Sequence, residues 1–200
     1  YISSDVKTTD PIWEVLQGFD LIVDCSTFGD IYDRQKTAFQ KYDYIIVSNE
    51  IEGWPEPESL LRLVRKNLSP TGKLLLSVNN RLGIRYFCGD RDPYTGRNFD
   101  GIENYRRAYS KKEDTFNGRM YSKSEWERML RNAGFDTYQF YSILSDLDNP
   151  SLIFAEDYLP NEDLANRVFP TYNYPDSVFM EEEALYAGLL ENGMFHSMAN

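Results

Sequence analysis

The chain has 200 residues, 42% hydrophobic and 15% aromatic, enough to bury a sizeable core in one domain. Its 21 basic and 32 acidic side chains give a formal net charge of -11, which argues against a phosphate-backbone partner such as DNA or RNA. Cys25 and Cys88 form no CxxC pair, so neither a disulfide scaffold nor a zinc site is expected. Their sparse use points to a reducing cytoplasm, and no apolar run approaches the roughly 20 residues of a membrane span.

Taken in chain order, YISSDV, LIVDCS and YDYIIVS each place an aspartate at or beside a short apolar run. The same interval of 19 residues separates Asp5 from Asp24 and Asp24 from Asp43. One strand, helix, strand crossover fits such an interval. The spacing therefore predicts strands ending near Asp5 and Asp24, with DPIWEVLQ as a helix between them.

Tyr44 to Val47 is a continuous apolar run, as expected of a parallel strand covered on both faces, and Leu74 to Val78 is a second. Between them Leu60, Leu61, Leu63, Val64 and Leu68 recur at helical spacing, with Arg62, Arg65 and Lys66 on the other face. Pro70 and Gly72 are expected to stop that helix. Ligands of open parallel sheets bind at the carboxyl ends of strands, which makes Asn49, Glu50 and Glu52, then Asn79 and Asn80, candidate site residues.

From Arg81 to Arg119 no apolar period is sustained, and a long irregular stretch of this kind is usually functional or disordered. Asp90, Asp92, Arg97, Asp100 and Glu103 alternate there with Tyr86, Phe87, Tyr94, Phe99 and Tyr105, a mixture that suits stacking on a sugar ring and bonding its hydroxyls. The plainer reading is an ordered cover whose charges pair with one another. Next, YSKSEWERMLRNAGF carries a capping box at Ser122 and Glu125 and a glycine stop at Gly134, predicting a helix. Thr137–Leu144 and Ser151–Ala155 read as an antiparallel hairpin around SDLDNP, whose Asp146 and Asp148 are expected to be solvated, with no metal. Residues 158–200 read as a helical extension. Its acidic triplet Glu181 to Glu183 suits a helix start, and its single histidine, His196, is expected to be structural.

The ordered string YDYIIVSNEIEGWPEPESLLRLVRKNLSPTGKLLLSVNN resembles the second half of a class I S-adenosylmethionine-dependent methyltransferase, with Tyr44–Val47 as fourth strand and Leu74–Val78 as fifth. The segment after it is similar to one found in methyltransferase domains associated with bacterial surface-polysaccharide glycosyltransferases. Asn80, Leu82, Gly83, Tyr86, Gly89, Gly96, Phe99, Gly101, Ile102, Glu103 and Tyr105 carry that likeness.

The resemblance implies an α/β, Rossmann-like sheet, mostly parallel with a C-terminal antiparallel hairpin. It implies a methyltransferase-like domain over residues 1–157 with a lid at 81–119, and residues 158–200 packed on the same domain. By position, Asp5 would accept hydrogen bonds from the cofactor ribose and Asp24 and Cys25 would contact adenine, with Asn49 and Glu50 also on the cofactor. Asp92, Tyr94, Arg97 and Glu103 would meet a carbohydrate or related small acceptor. Methyl transfer from a sulfonium needs mainly in-line positioning, and a base only for a hydroxyl acceptor. Glu50 and Glu52 are the candidates for that base, although nothing in the sequence marks either as tuned.

The family's glycine-rich turn after the first strand has no counterpart here. The expected register therefore starts at the second strand, with further domains of the same polypeptide possible, and these 200 residues alone are expected to bind S-adenosylmethionine weakly or not at all and to be inactive. Two functions stay open: a parent methyltransferase acting in surface-polysaccharide biosynthesis, or an inert binding or scaffold module of a polysaccharide-assembly glycosyltransferase.

Overall fold

Alternation along Tyr42 to Ser48 sets Ile45 and Val47 on one face and Tyr44 and Ile46 on the other, and the strand expected from this run forms. The structure is a computed structural model that describes residues 41–48, 50–160 and 162–199. Strand β1 is Tyr42–Ser48, helix α1 is Pro57–Asn67 and strand β2 is Leu68–Ser77; the two strands pair as a small parallel sheet. The strands expected to end at Asp5 and Asp24, and the helix between them, lie outside the described residues.

Two details differ from expectation. Pro70 and Gly72 do not follow the helix as stops but lie inside β2, which begins directly after α1. The Asn67 amide closes the helix by donating to the Leu63 carbonyl at 2.9 Å. Gly72 is needed for strand contact, because a Cβ there would meet the Tyr42 carbonyl oxygen at 2.8 Å. Secondly, β1 is not covered on both faces: Val47 is buried, while Tyr44 is 64% and Ile46 47% exposed. Successive side chains of a strand point to opposite faces, so an unbroken apolar run does not by itself show two buried faces.

The chain groups into two compact units, Tyr1–Ser48 with Leu63–Leu76, and Asn49–Arg62 with Ser77–Asn200. In the first, Val47, Leu63, Val64 and Leu68 are buried, and Ser69 donates to Asp43 at 2.9 Å. The second begins with a 3-10 turn, Glu50–Gly53, and resumes after β2 with the short helix α2, Ile84–Phe87.

Helix α3, Lys123–Asn132, forms as its sequence dictates. Ser122 accepts from the Glu125 amide while Glu125 accepts from the Ser122 amide, the reciprocal bonds of a capping box. At its other end Phe135 N bonds to Leu130 O and Gly134 N to Arg131 O, both at 3.0 Å, with Gly134 at φ 88; this is a Schellman ending. Trp126, Met129 and Leu130, on one stripe, are buried.

Strands β3, Tyr141–Ser145, and β4, Pro150–Ala155, form the expected antiparallel hairpin, in register from Tyr141 opposite Ala155, with an irregularity after Leu144. The tail supplies 3-10 turns at Glu162–Arg167, Pro175–Ser177 and Glu182–Leu185, then helices α4, Tyr186–Glu191, and α5, Phe195–Met198. Leu164, Val168, Tyr186, Leu189 and Phe195 from this tail share one buried cluster with Ile84, Cys88, Leu144 and Phe154. Asn80 anchors the tail by donating to the carbonyls of Ser197 and Ala199 at 2.9 and 2.8 Å. His196 is held at both ring nitrogens, Nδ1 by Ser142 Oγ at 2.8 Å and Nε2 by the Tyr158 carbonyl at 3.1 Å.

Candidate functional site

The loops that follow β1 and β2 meet at one carboxylate. Glu52, in the 3-10 turn after β1, is fully buried. Its Oε1 accepts from Asn79 N at 2.7 Å, and its Oε2 accepts from Asn79 Nδ2 at 2.9 Å and from the Tyr94 hydroxyl at 2.6 Å. Its main-chain carbonyl accepts from Arg119 N at 2.9 Å. One residue thus joins the turn after β1, the loop after β2 and, through Tyr94 and Arg119, the interior and the C-terminal end of the irregular segment.

Burial pushes the Glu52 carboxyl up to about 7, against the opposing effect of the Tyr94 and Asn79 hydrogen bonds. No cation is ion-paired with it among the described residues. Its environment therefore tunes it, which nothing in the sequence marked. Its surroundings are neutral donors, so desolvation dominates.

Asp92 continues the network. Its Oδ1 accepts from the amides of Tyr94 at 2.9 Å and Thr95 at 3.1 Å, the Asx turn that Asp-Pro-Tyr-Thr-Gly encodes. Its Oδ2 accepts from the Tyr105 hydroxyl at 2.7 Å, and that hydroxyl in turn accepts from Met120 N at 2.7 Å. Burial raises the Asp92 carboxyl, and these three donors lower it in part. Gly101 and Gly118 permit the close packing: a Cβ on Gly101 would meet Asp92 Oδ2 at 3.2 Å, and one on Gly118, at φ 128, would strike the Tyr94 ring at 2.4 Å.

The predicted site residues therefore separate into groups. Asp5, Asp24, Cys25 and Asn49 lie outside the described residues, and Glu50 opens the 3-10 turn Glu50–Gly53. Glu52, Tyr94 and Asp92 are brought together, but inside the protein, where Tyr94 donates its hydroxyl to Glu52 and its amide to Asp92. Arg97 and Glu103 are at the surface in ion pairs, Arg97 with Asp100 at 2.8 Å and Glu103 with Arg107 at 2.7 Å.

An open depression of about 460 Å³ is lined by Arg81, Ile102, Glu103, Asn104 and Arg106. Tyr94 and Tyr105 turn inward because their hydroxyls donate to buried carboxylates.

A second buried polar group, which sequence reasoning missed, lies where α2 meets the hairpin. Arg85 Nε donates to Asp90 Oδ2 at 2.8 Å, Nη1 to the Ser145 carbonyl at 3.2 Å and Nη2 to the Thr171 carbonyl at 2.6 Å. Asp90 also accepts from the amides of Asn173 and Tyr174 at 3.0 and 2.8 Å. Asp146 is not merely solvated, since it lies 3.5 Å from Arg85 Nη1. Glu182 stands in the first turn of the 3-10 helix Glu182–Leu185, as expected of an acidic residue at a helix start, but it is also buried, and burial pushes it up to about 7. No local signal distinguishes Arg85 or Glu182 from the other charged residues of their segments.

No protein-family profile, no curated protein and no solved structure matches the chain.

Proposed function

We propose that the chain belongs to a methyltransferase-like domain that uses S-adenosylmethionine on a carbohydrate or related small acceptor in surface-polysaccharide biosynthesis. The observation that carries this reading is the clamp of Glu52 by Asn79 and Tyr94. It ties together the loops after two successive parallel strands, the edge at which open α/β sheets bind ligands. Around it, the residues that carry the sequence resemblance are organised: Asn80 anchors the tail, Gly101 allows contact with Asp92, and Tyr105 donates to Asp92. The capped helix α3 and the hairpin follow in the order the resemblance implies.

Within this reading Glu52 is a positioning residue. It is fully buried and both oxygens are engaged, so it holds the loops rather than taking a proton from the acceptor. Acceptor contact falls to side chains at the surface of the same segment, Arg97 and Glu103 among the predicted ones.

The same burial favours a second reading, an inert binding or scaffold module of a polysaccharide-assembly glycosyltransferase, because Glu52 and Asp92 are satisfied internally. Calorimetric titration with S-adenosylmethionine and S-adenosylhomocysteine separates the two. The methyltransferase reading expects weak or no binding by these 200 residues, and clear binding once the polypeptide also carries a glycine-rich turn of the family's form. Absence of binding by that longer polypeptide would leave the scaffold reading.

A further inference from the structure

We propose that the depression between Arg81 and the turn Ile102 to Arg106 binds an anionic group, a phosphate or a carboxylate, carried by a sugar. Four features converge on it. First, the lining is rich in donors: two guanidinium groups and the Asn104 amide face about 460 Å³ of open space, in a protein whose formal net charge is -11. Cations gathered in a concave site against the overall charge create a local field for an anion.

Secondly, Arg81 is fixed and only partly used. Its Nε donates to Glu125 at 2.7 Å and its Nη1 reaches the carbonyls of Gly101 and Ile102 at 3.2 and 3.4 Å, which leaves Nη2 without a partner among the described residues. Arg106 is exposed and has no ion pair or hydrogen bond among the described residues. Thirdly, the one lining carboxylate, Glu103, is engaged with Arg107 at 2.7 Å. Its negative charge is thereby offset.

Fourthly, the rim is held in a costly shape. Asn104 and Tyr105 are consecutive non-glycine residues in the left-handed region, at φ 57 and 59, which costs on the order of 1–3 kcal/mol each and is characteristic of ligand clamps. Two bonds maintain it: at a buried position Tyr105 OH donates to Asp92, and at the surface Arg119 Nη2 donates to Asn104 Oδ1. The Asn104 Nδ2 donor is left for a ligand. A guanidinium pair with an amide matches the oxygens of a phosphate or carboxylate.

That the anion is carried by a sugar, and that this sugar is an acceptor of methyl transfer, rests on the function proposed above; that the depression binds an anion does not. The test is direct titration of the 200-residue chain, by calorimetry or amide chemical shifts, with glucose 1-phosphate, glucuronate, inorganic phosphate and glucose. At least one anionic sugar should bind below about 10 mM and glucose should not. Glucose 1-phosphate alone would identify a phosphate ligand, glucuronate alone a carboxylate. Arg106→Gln should weaken that binding about ten-fold, the loss of one charge-assisted hydrogen bond, whereas Arg167→Gln, equal in charge change but exposed on the turn Glu162–Arg167 outside the lining, should leave it within about two-fold.

Equal losses in the two variants, binding of glucose as tight as that of the anions, or no anion bound in this range would overturn the site. Inorganic phosphate binding as tightly as both sugars would overturn the sugar component of the claim. Methyl transfer stands or falls separately on the cofactor titration.

Discussion

Asp90 and Glu52 are both fully buried in the same unit, yet they are accommodated by different chemistry. Asp90 meets a guanidinium, Arg85, together with the amides of Asn173 and Tyr174. Glu52 meets an asparagine and a tyrosine. A charge buried with its counter-ion is endangered by removal of the partner, whereas a carboxyl among neutral donors is endangered by its own ionisation. The Arg85 group therefore acts as a fixed strut between α2, the hairpin and the tail, while the Glu52 clamp responds to pH.

Breaking the strut should have the largest effect. Arg85→Met leaves Asp90 buried without its cation and should destabilise the protein by about 3–5 kcal/mol in chemical denaturation, with Arg85→Met/Asp90→Asn recovering part of the loss. A loss below about 1 kcal/mol would show that the pair is not a strut.

The clamp should give a smaller, pH-dependent effect. Glu52 has its folded-state value raised from 4.5 to about 7, so its contribution to stability is fully present below about 4.5 and is lost as pH rises through about 7. Over that window the loss is roughly 3 kcal/mol, and Glu182, raised in the same direction by burial, adds to it. Glu52→Gln should flatten the stability profile between these limits. Glu52→Ala, which strands the Asn79 and Tyr94 donors, should cost about 2–4 kcal/mol at pH 5. A wild-type profile that rises across the window would contradict the assignment.

The smallest effect belongs to a local feature. Ser122→Ala removes one side of the capping box and should cost about 1 kcal/mol by thermal or chemical unfolding. A cost comparable with that of Arg85→Met would mean that α3, rather than the buried ion pair, limits the stability of this unit.

Local patterns were the legible part of the chain. α3, with Ser122, Glu125 and Gly134, follows from rules that span a few residues, and so do α1 and the hairpin from Tyr141 to Ala155. The position of β2 was less legible, since Pro70 and Gly72 are punctuation in sequence but Gly72 answers to the Tyr42 carbonyl, a contact set by strand pairing. At the site, Glu52 and Asn79 were visible as residues after strands. What sequence could not show was direction: Glu52, Asp92 and Tyr94 face inward because long-range hydrogen bonds satisfy them there. Arg85 bonds to residues 60 and 86 positions away, distances at which no local rule operates.

The clamp between the two loops requires Glu52 to be a buried carboxyl held by neutral donors. Its side-chain carboxyl carbon, followed by NMR across pH and assigned by comparison with Glu52→Gln, measures this directly. The titration midpoint should lie near 7 and move higher in Tyr94→Phe, where a hydrogen bond favouring the charged form is lost. A midpoint near the ordinary 4.5, unchanged by Tyr94→Phe, would mean that Glu52 is solvated and that the loops after the two strands are not clamped together.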